Sequence, residues 1–340
     1  MEDRHHRRPI GLIAVATLSI SLAWAIGLIG RGIWQLSEQD KITAKNSSSV
    51  RNFATVPNVA TGVYKYGGST AWASLRLAVD SAIQAERPEL QLRYVQPQTP
   101  PGSSPGIKML LQGEVAFAQS SHPLSSQEFE LARQKGLKLT QVPVAVNSIA
   151  VAVHPQLNIS GLTLSQLQAI YRGKITNWQE LGGADLPITA YSRPPSTGGM
   201  VDFFSSKILQ DREFGSNVQF VPTTTEALRQ LADDPGGIYY GSATAIVPQC
   251  TVKSLPLGLE GEELVAPYQK PLVSAAECPQ RRNRLNIEAL RKADYPLTHY
   301  LYVVYIENDE RSQIGRAYAD FLLTPQGQNA IAKAGLIPLD

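Results

Sequence analysis

The chain has 340 residues, 43% of them apolar and 18% charged, with a net charge of +2. That is enough for two cores of ordinary domain size and too evenly balanced for a nucleic-acid surface. With five histidines, two of them adjacent near the N-terminus, and with neither a CxxC nor an HExxH motif, the composition points to no multi-histidine metal site and implies no cofactor.

Arg4, Arg7 and Arg8 precede residues 10–30, which carry no charge and close at Arg31. An α-helix needs about 20 apolar residues to cross a bilayer, and basic residues ahead of it hold the N-terminus in the cytoplasm. Residues 1–31 therefore predict a cytoplasmic tip and a transmembrane anchor in the lipid bilayer, with everything after them extracytoplasmic. The alternative is a cleaved signal peptide ending at the AWA of residues 23–25. Residues 32–60, polar and including KNSSS at 45–49, read as a flexible linker.

From residue 61 short apolar strands alternate with amphipathic helices, the pattern of an α/β chain. Helices are predicted over 71–85, 107–111, 126–134, 163–171, 201–209 and 224–231, and strands over 90–95, 115–119 and 238–240. A last helical segment, 311–335, is interrupted at Pro325. Two β-rich runs, 142–153 and 300–306, are far apart in sequence, and the first is too long for a strand of one small sheet. They suit two hinge strands crossing between two lobes, lobe 1 from 61–147 with 301–340 and lobe 2 from 148–300. Cys250 and Cys278, both in the exported part, read either as a disulfide closing a 28-residue loop or as two unrelated buried thiols.

Four loops carry the chemistry. YGGST (66–70) runs into a helix and offers the hydroxyls and N–H groups of Ser69 and Thr70. PGSSPGI (101–107) places Ser103 and Ser104 before a short helix, with Pro105 at its first position. AFAQSSHPL (116–124) puts Ser120 and Ser121 at a strand's C-terminal end, where α/β sheets place ligands. YSRPPSTGGM (191–200) combines Arg193 with Ser196, Thr197, Gly198 and Gly199 ahead of a helix, the composition of an anion clamp. Taken singly, the first three also fit ordinary turns and helix caps. No GxSxG elbow or convincing catalytic set is present, so no enzyme is predicted. His122, His154 and His299 read as loop, capping or packing residues, and Asp233 and Asp234 as turn formers.

Further segments carry a family likeness: IYRGKITNWQELGG (170–183), GGIYYG (236–241), YPLTHYLY (295–302) and ADFLLTPQGQ (319–328). Over residues 62–340 the chain resembles the phosphate-binding proteins of the ABC phosphate importer, within the type II periplasmic binding protein superfamily. The resemblance implies a two-lobed α/β fold with two crossover hinge strands. It also implies capture of inorganic phosphate or a related oxyanion for an ABC permease in the membrane. By the same resemblance, Thr70, the Ala71 N–H, Ser103, Arg193, Thr197, Gly198 and Gly199 hold the anion. The chain departs from the family pattern at Ser121, where an Asp is usual, at Pro195, where an acidic residue is usual, and at Gly199, where a Thr hydroxyl is lost. A carboxylate selects an anion that carries a proton, so selectivity over sulfate or arsenate is expected to relax. The alternative function is a drifted regulatory or sensor domain on the same fold.

Overall fold

A computed structural model describes residues 52–96, 102–195 and 199–339. The span expected over 10–30 lies outside the described residues, as does most of the linker; no helix among the described residues is long and apolar enough to cross a membrane. Residues 52–60, expected to belong to the linker, carry packed side chains. Phe53 and Val56 are buried, Phe53 packs edge-on against Phe321 at 5.8 Å, and Arg87 donates to the Val56 carbonyl at 2.7 Å.

The strands are β1 (Gly62–Gly68), β2 (Leu90–Tyr94), β3 (Phe117–Ser120), β4 (Leu139–Val153), β5 (Leu162–Thr163), β6 (Thr189–Ser192), β7 (Val218–Phe220), β8 (Gly237–Ser242), β9 (Lys253–Leu255), β10 (Leu257–Gly258) and β11 (Thr298–Ile306). The helices are α1 (Ala73–Glu86), α2 (Ser103–Leu111), α3 (Ser126–Gln134), α4 (Leu164–Tyr171), α5 (Met200–Phe204), α6 (Thr224–Asp233), α7 (Ala243–Ile246), α8 (Ile287–Arg291), α9 (Ser312–Leu323) and α10 (Pro325–Lys333). The main sheet runs β2-β1-β3-β11-β4-β8-β6-β7, with β9 also on β4.

β4 explains the two-part architecture. Its first portion pairs antiparallel with β11, Leu139 to Ile306 through Ser148 to Thr298. Its last residues, Ile149 to Val153, pair instead with β8 and β9. On one side lie the parallel strands β2, β1 and β3, and on the other the parallel strands β8, β6 and β7. Here the crossover expectation is refined: among the described residues, β4 alone pairs on both sides. The second connection is the chain entering β11, where the Leu297 carbonyl accepts from the Ile149 N–H at 2.9 Å.

Each side has its own core. Ile107, Leu110, Ala118 and Val304 pack on the first. Trp178, Tyr171, Phe204 and Tyr240 pack on the second, with the Trp178 indole N–H donating to the Gly236 carbonyl at 2.9 Å. Local capping starts several helices. Ser125 and Glu128 close a capping box on α3, and Thr163 and Gln166 do so on α4. α2 begins at Ser103, four residues earlier than predicted, so Pro105 stands third in the helix; its missing N–H is still one that no intrahelical acceptor could use. The helix expected over 201–209 is α-helical only to Phe204, after which Ser205–Leu209 widens into a π turn.

Candidate functional site

The loops that follow β1 and β3 meet the start of α2 at the C-terminal end of the first half-sheet. Ser69 Oγ donates to Ser121 Oγ at 2.9 Å, Ser103 Oγ lies 3.2 Å from Ser121 Oγ, and the Ser121 N–H donates to Ser103 Oγ at 3.0 Å. Three hydroxyls from three separate turns thus converge on one point. Ser69 and Ser103 are buried, 4% and 6% exposed, so the cluster is a pocket floor and not a surface turn.

Two glycines make this approach possible. A Cβ on Gly106 would stand 2.4 Å from the Gly68 Cα, and one on Gly68 would stand 2.1 Å from the Gln119 carbonyl oxygen. Gly68 also has a φ of +132°, which favours glycine. Gly106→Ala is expected to push α2 off β1, costing about 1–3 kcal/mol of stability and carrying Ser103 away from Ser121. Urea unfolding and an anion titration on the same variant would read both effects.

A polar chain fixes the Ser69 turn from behind. The Arg76 guanidinium donates to the Ser69 carbonyl at 3.1 Å and to Gln119 Oε1 at 3.0 Å, and it sits 3.9 Å over the Tyr94 ring. Gln119 in turn donates to the Tyr318 hydroxyl at 3.0 Å, and Tyr66 and Tyr318 both donate to Asp80. Burial raises the Asp80 carboxyl above its usual range, opposed by those two hydroxyls and by Arg76.

Not every predicted serine faces the cluster. Ser104 Oγ donates to Glu128 Oε1 at 2.9 Å and lies 3.4 Å from His122 Nε2. Ser120 Oγ donates to the His122 carbonyl at 2.7 Å, while the Ser120 carbonyl accepts the Trp72 indole N–H at 2.9 Å. The Ala71 N–H is taken by Ser69 Oγ at 3.2 Å as an N-cap bond. Ser196, Thr197 and Gly198 lie outside the described residues.

Arg193 lies across from these turns. It lines a cleft with Thr70, Ala71, Asn147 and Gly199, and its Nε is buried without a hydrogen-bond partner among the described residues. Its position is set by Ser192, whose hydroxyl donates to the Arg193 carbonyl at 2.9 Å and lies 2.7 Å from the Tyr240 hydroxyl. Tyr240 is stacked on Phe204 at 3.6 Å. The three serines line an adjoining cleft, and Thr70, Ala71, Gly199 and Asp202 line both.

Asp202 is the residue that sequence reasoning missed. Its Oδ2 accepts from Thr70 Oγ1 at 2.8 Å and from the Gly199 N–H at 3.1 Å, tying the first turn to the Arg193 loop. An acid in the first turn of a helix was the available signal, but it shows only an N-terminal preference and no partner 132 residues away.

His299 lies on β11, paired in register with Asn147 of β4. The residue is partly exposed, yet both ring nitrogens are inaccessible and without partners among the described residues. Burial, with His122 and Lys207 beside it, lowers its pKa from 6.5 to about 3. The unfolded chain therefore binds the extra proton first. The stability held above pH 6.5 is lost as pH falls toward about 3, by up to about 1.4 kcal/mol per pH unit. Urea midpoints between pH 4 and 7 should show that slope, and His299→Phe should flatten it.

The profile of the PBP superfamily domain matches residues 14–326. The chain belongs to the PBP superfamily. A phosphate-binding protein PstS of Pseudomonas aeruginosa is 29% identical to this PBP-superfamily chain over 258 residues, 70% of this chain and 72% of that protein. The PstS of Bacillus subtilis is 32% identical over 181 residues, 53% of this chain and 57% of its own. In fold, the chain matches a possible phosphate binding protein from Planctomyces limnophilus with a TM-score of 0.68 at 18% identity, over 82% of this chain and 94% of that one. A putative phosphate ABC transporter substrate-binding protein from Clostridium perfringens, solved with bound phosphate, matches with a TM-score of 0.52 at 25% identity, over 82% and 100%. The two-lobed α/β fold of the superfamily accounts for the two half-sheets on β4.

Proposed function

We propose that this chain is an extracytoplasmic solute-binding protein that captures inorganic phosphate, or a related oxyanion, between two lobes and delivers it to an ABC permease. The lobes are 61–147 with 301–340, and 148–300. The observation that carries the reading is the convergence of Ser69, Ser103 and Ser121 beside a cleft lined by Arg193, whose Nε is buried without a partner among the described residues. The relatives named as phosphate-binding proteins support the choice of anion. Residues 10–30 serve in this reading as the membrane tether, and contacts from both lobes drive closure about β4.

The carboxylate missing at Ser121 has a counterpart in Asp202, on the other wall of the cleft. A protonated phosphate can donate to that carboxylate; sulfate has no proton to give and is repelled. Titration calorimetry with phosphate, sulfate and arsenate tests the site, and heat from none of them rejects it. Asp202→Asn is expected to improve sulfate binding by about tenfold, the effect of roughly one such interaction, while phosphate gains less. An unchanged sulfate-to-phosphate ratio removes Asp202 from selectivity.

A further inference from the structure

Asn147 stands where β4 changes partners. Ser148, the next residue, pairs with β11, and Ile149 pairs with β8. The strand is anchored on both sides of Asn147. The Val146 N–H and carbonyl both bond to Ile337, at 2.9 and 2.8 Å. Ser148 Oγ donates to the Leu297 carbonyl at 3.1 Å and accepts from Thr298 Oγ1 at 3.1 Å. The side chain between them has no such engagement. Asn147 is 5% exposed, yet its amide makes no hydrogen bond among the described residues.

That amide is not sealed in the core. The inaccessible side-chain atoms without partners among the described residues belong to Arg193, Asn217, Tyr295 and His299, and the Asn147 amide is not one of them. Its remaining surface opens on the cleft of about 690 Å³ that it lines with Arg193. A polar group withdrawn this far from water normally has a partner, and lacking one is destabilising. The amide nitrogen offers two N–H donors. The charge beside it indicates what they would serve: a guanidinium attracts an anion, and an anionic oxygen accepts from an amide N–H. Asp202, the carboxylate that lines the same cleft, is already engaged by Thr70 and the Gly199 N–H.

We propose that Asn147 is a direct ligand of the captured oxyanion, donating a side-chain N–H to it while Arg193 supplies the charge. This rests on the reading of the cleft as an oxyanion site. The contact comes from the strand that both half-sheets share, whereas the serines come from turns of one half and Arg193 from the other.

The test is calorimetry with inorganic phosphate on the full-length protein as wild type, Asn147→Ala, Asn147→Asp and Ser148→Ala, with thermal unfolding of each as the control. Asn147→Ala is expected to weaken phosphate about tenfold, the loss of roughly one charged hydrogen bond. Ser148→Ala removes a hydroxyl of the same strand that Leu297 and Thr298 already engage, and should stay within about threefold of wild type. Asn147→Asp should weaken phosphate more at about pH 8 than at about pH 6, because a carboxylate accepts from an anion that carries a proton and repels one that does not. An Asn147→Ala affinity within about twofold of wild type overturns the proposal and leaves the anion reading standing. Equal weakening in Asn147→Ala and Ser148→Ala also overturns it, since the strand and not the amide would then be responsible. So does a loss in Asn147→Asp that is the same at both pH values. Absence of phosphate binding in wild type rejects the oxyanion site itself.

Discussion

Arg193→Ala is expected to weaken phosphate binding by more than about 30-fold, a loss above about 2 kcal/mol, because a charged hydrogen bond contributes roughly 1.5–3 kcal/mol. The size of the effect follows from where the guanidinium sits. Its Nε is buried with no partner among the described residues, and the side chain lines the cleft shared with Thr70, Ala71 and Gly199. An anion there would meet a guanidinium whose Nε has no other partner to give up among the described residues. Arg193→Lys should recover only part of the affinity, since an ammonium cannot reproduce the planar two-point contact of a guanidinium. The fold should tolerate both changes, because Ser192, Tyr240 and Phe204 hold that segment through contacts that do not use the Arg193 side chain. Calorimetry gives the affinity and thermal unfolding the control. A dissociation constant equal to that of wild type would place the anion elsewhere.

The second large effect concerns stability. Cys250 and Cys278 are joined by a disulfide that spans 28 residues of sequence. Closing a loop of that length in the unfolded chain lowers its entropy enough to stabilise the fold by about 3–4 kcal/mol in the chain-entropy estimate. The enclosed stretch has little regular structure to hold it otherwise. After β9 and β10 it is held by the buried Ala266 and Tyr268 and by isolated bonds to the chain beyond the loop, such as Val273 N–H to Asn283 Oδ1 at 2.8 Å. Replacing both cysteines by serine should therefore lower the unfolding free energy by about that amount in denaturant titrations. Phosphate affinity should change little, because the serine cluster and Arg193 lie on other segments. A double variant as stable as wild type would show that the loop is held by its packing alone.

How much of this was legible depended on whether the signal was local. Helix 126–134 could be read to the residue because Ser125 and Glu128, three positions apart, close the cap themselves. The long run ending at Val153 announced itself by its length, and the structure shows why: β4 must pair with β11 and then with β8. Strands β6 and β7 were not legible. Thr189–Ser192 and Val218–Phe220 are too short to show alternation, and they exist because β8 offers β6 an edge and β6 offers one to β7. The loop expected over 66–70 takes in the last three residues of β1, and Gly62, Gly67 and Gly68 mask the strand until β2 and β3 are beside it.

The site divided in the same way. Loop composition brought out Ser69, Ser103, Ser121 and Arg193, yet choosing between adjacent serines required the phase of each element. Ser103 and Ser104 point to different partners because consecutive helical residues diverge by about 100°, and Glu128 claims the second. Ser120, last in β3, turns its hydroxyl to the His122 carbonyl, while Ser121 turns toward the cluster. Asp202 could not be found from spacing at all, because its partner Thr70 belongs to the opposite half of the molecule.

A crystal structure of the protein grown with phosphate is the most direct measurement. The account predicts one anion with its oxygens on the hydroxyls of Ser69, Ser103 and Ser121 and on the Arg193 guanidinium. An anion bound elsewhere, or an Arg193 side chain turned to solvent while phosphate occupies the serines, would contradict it.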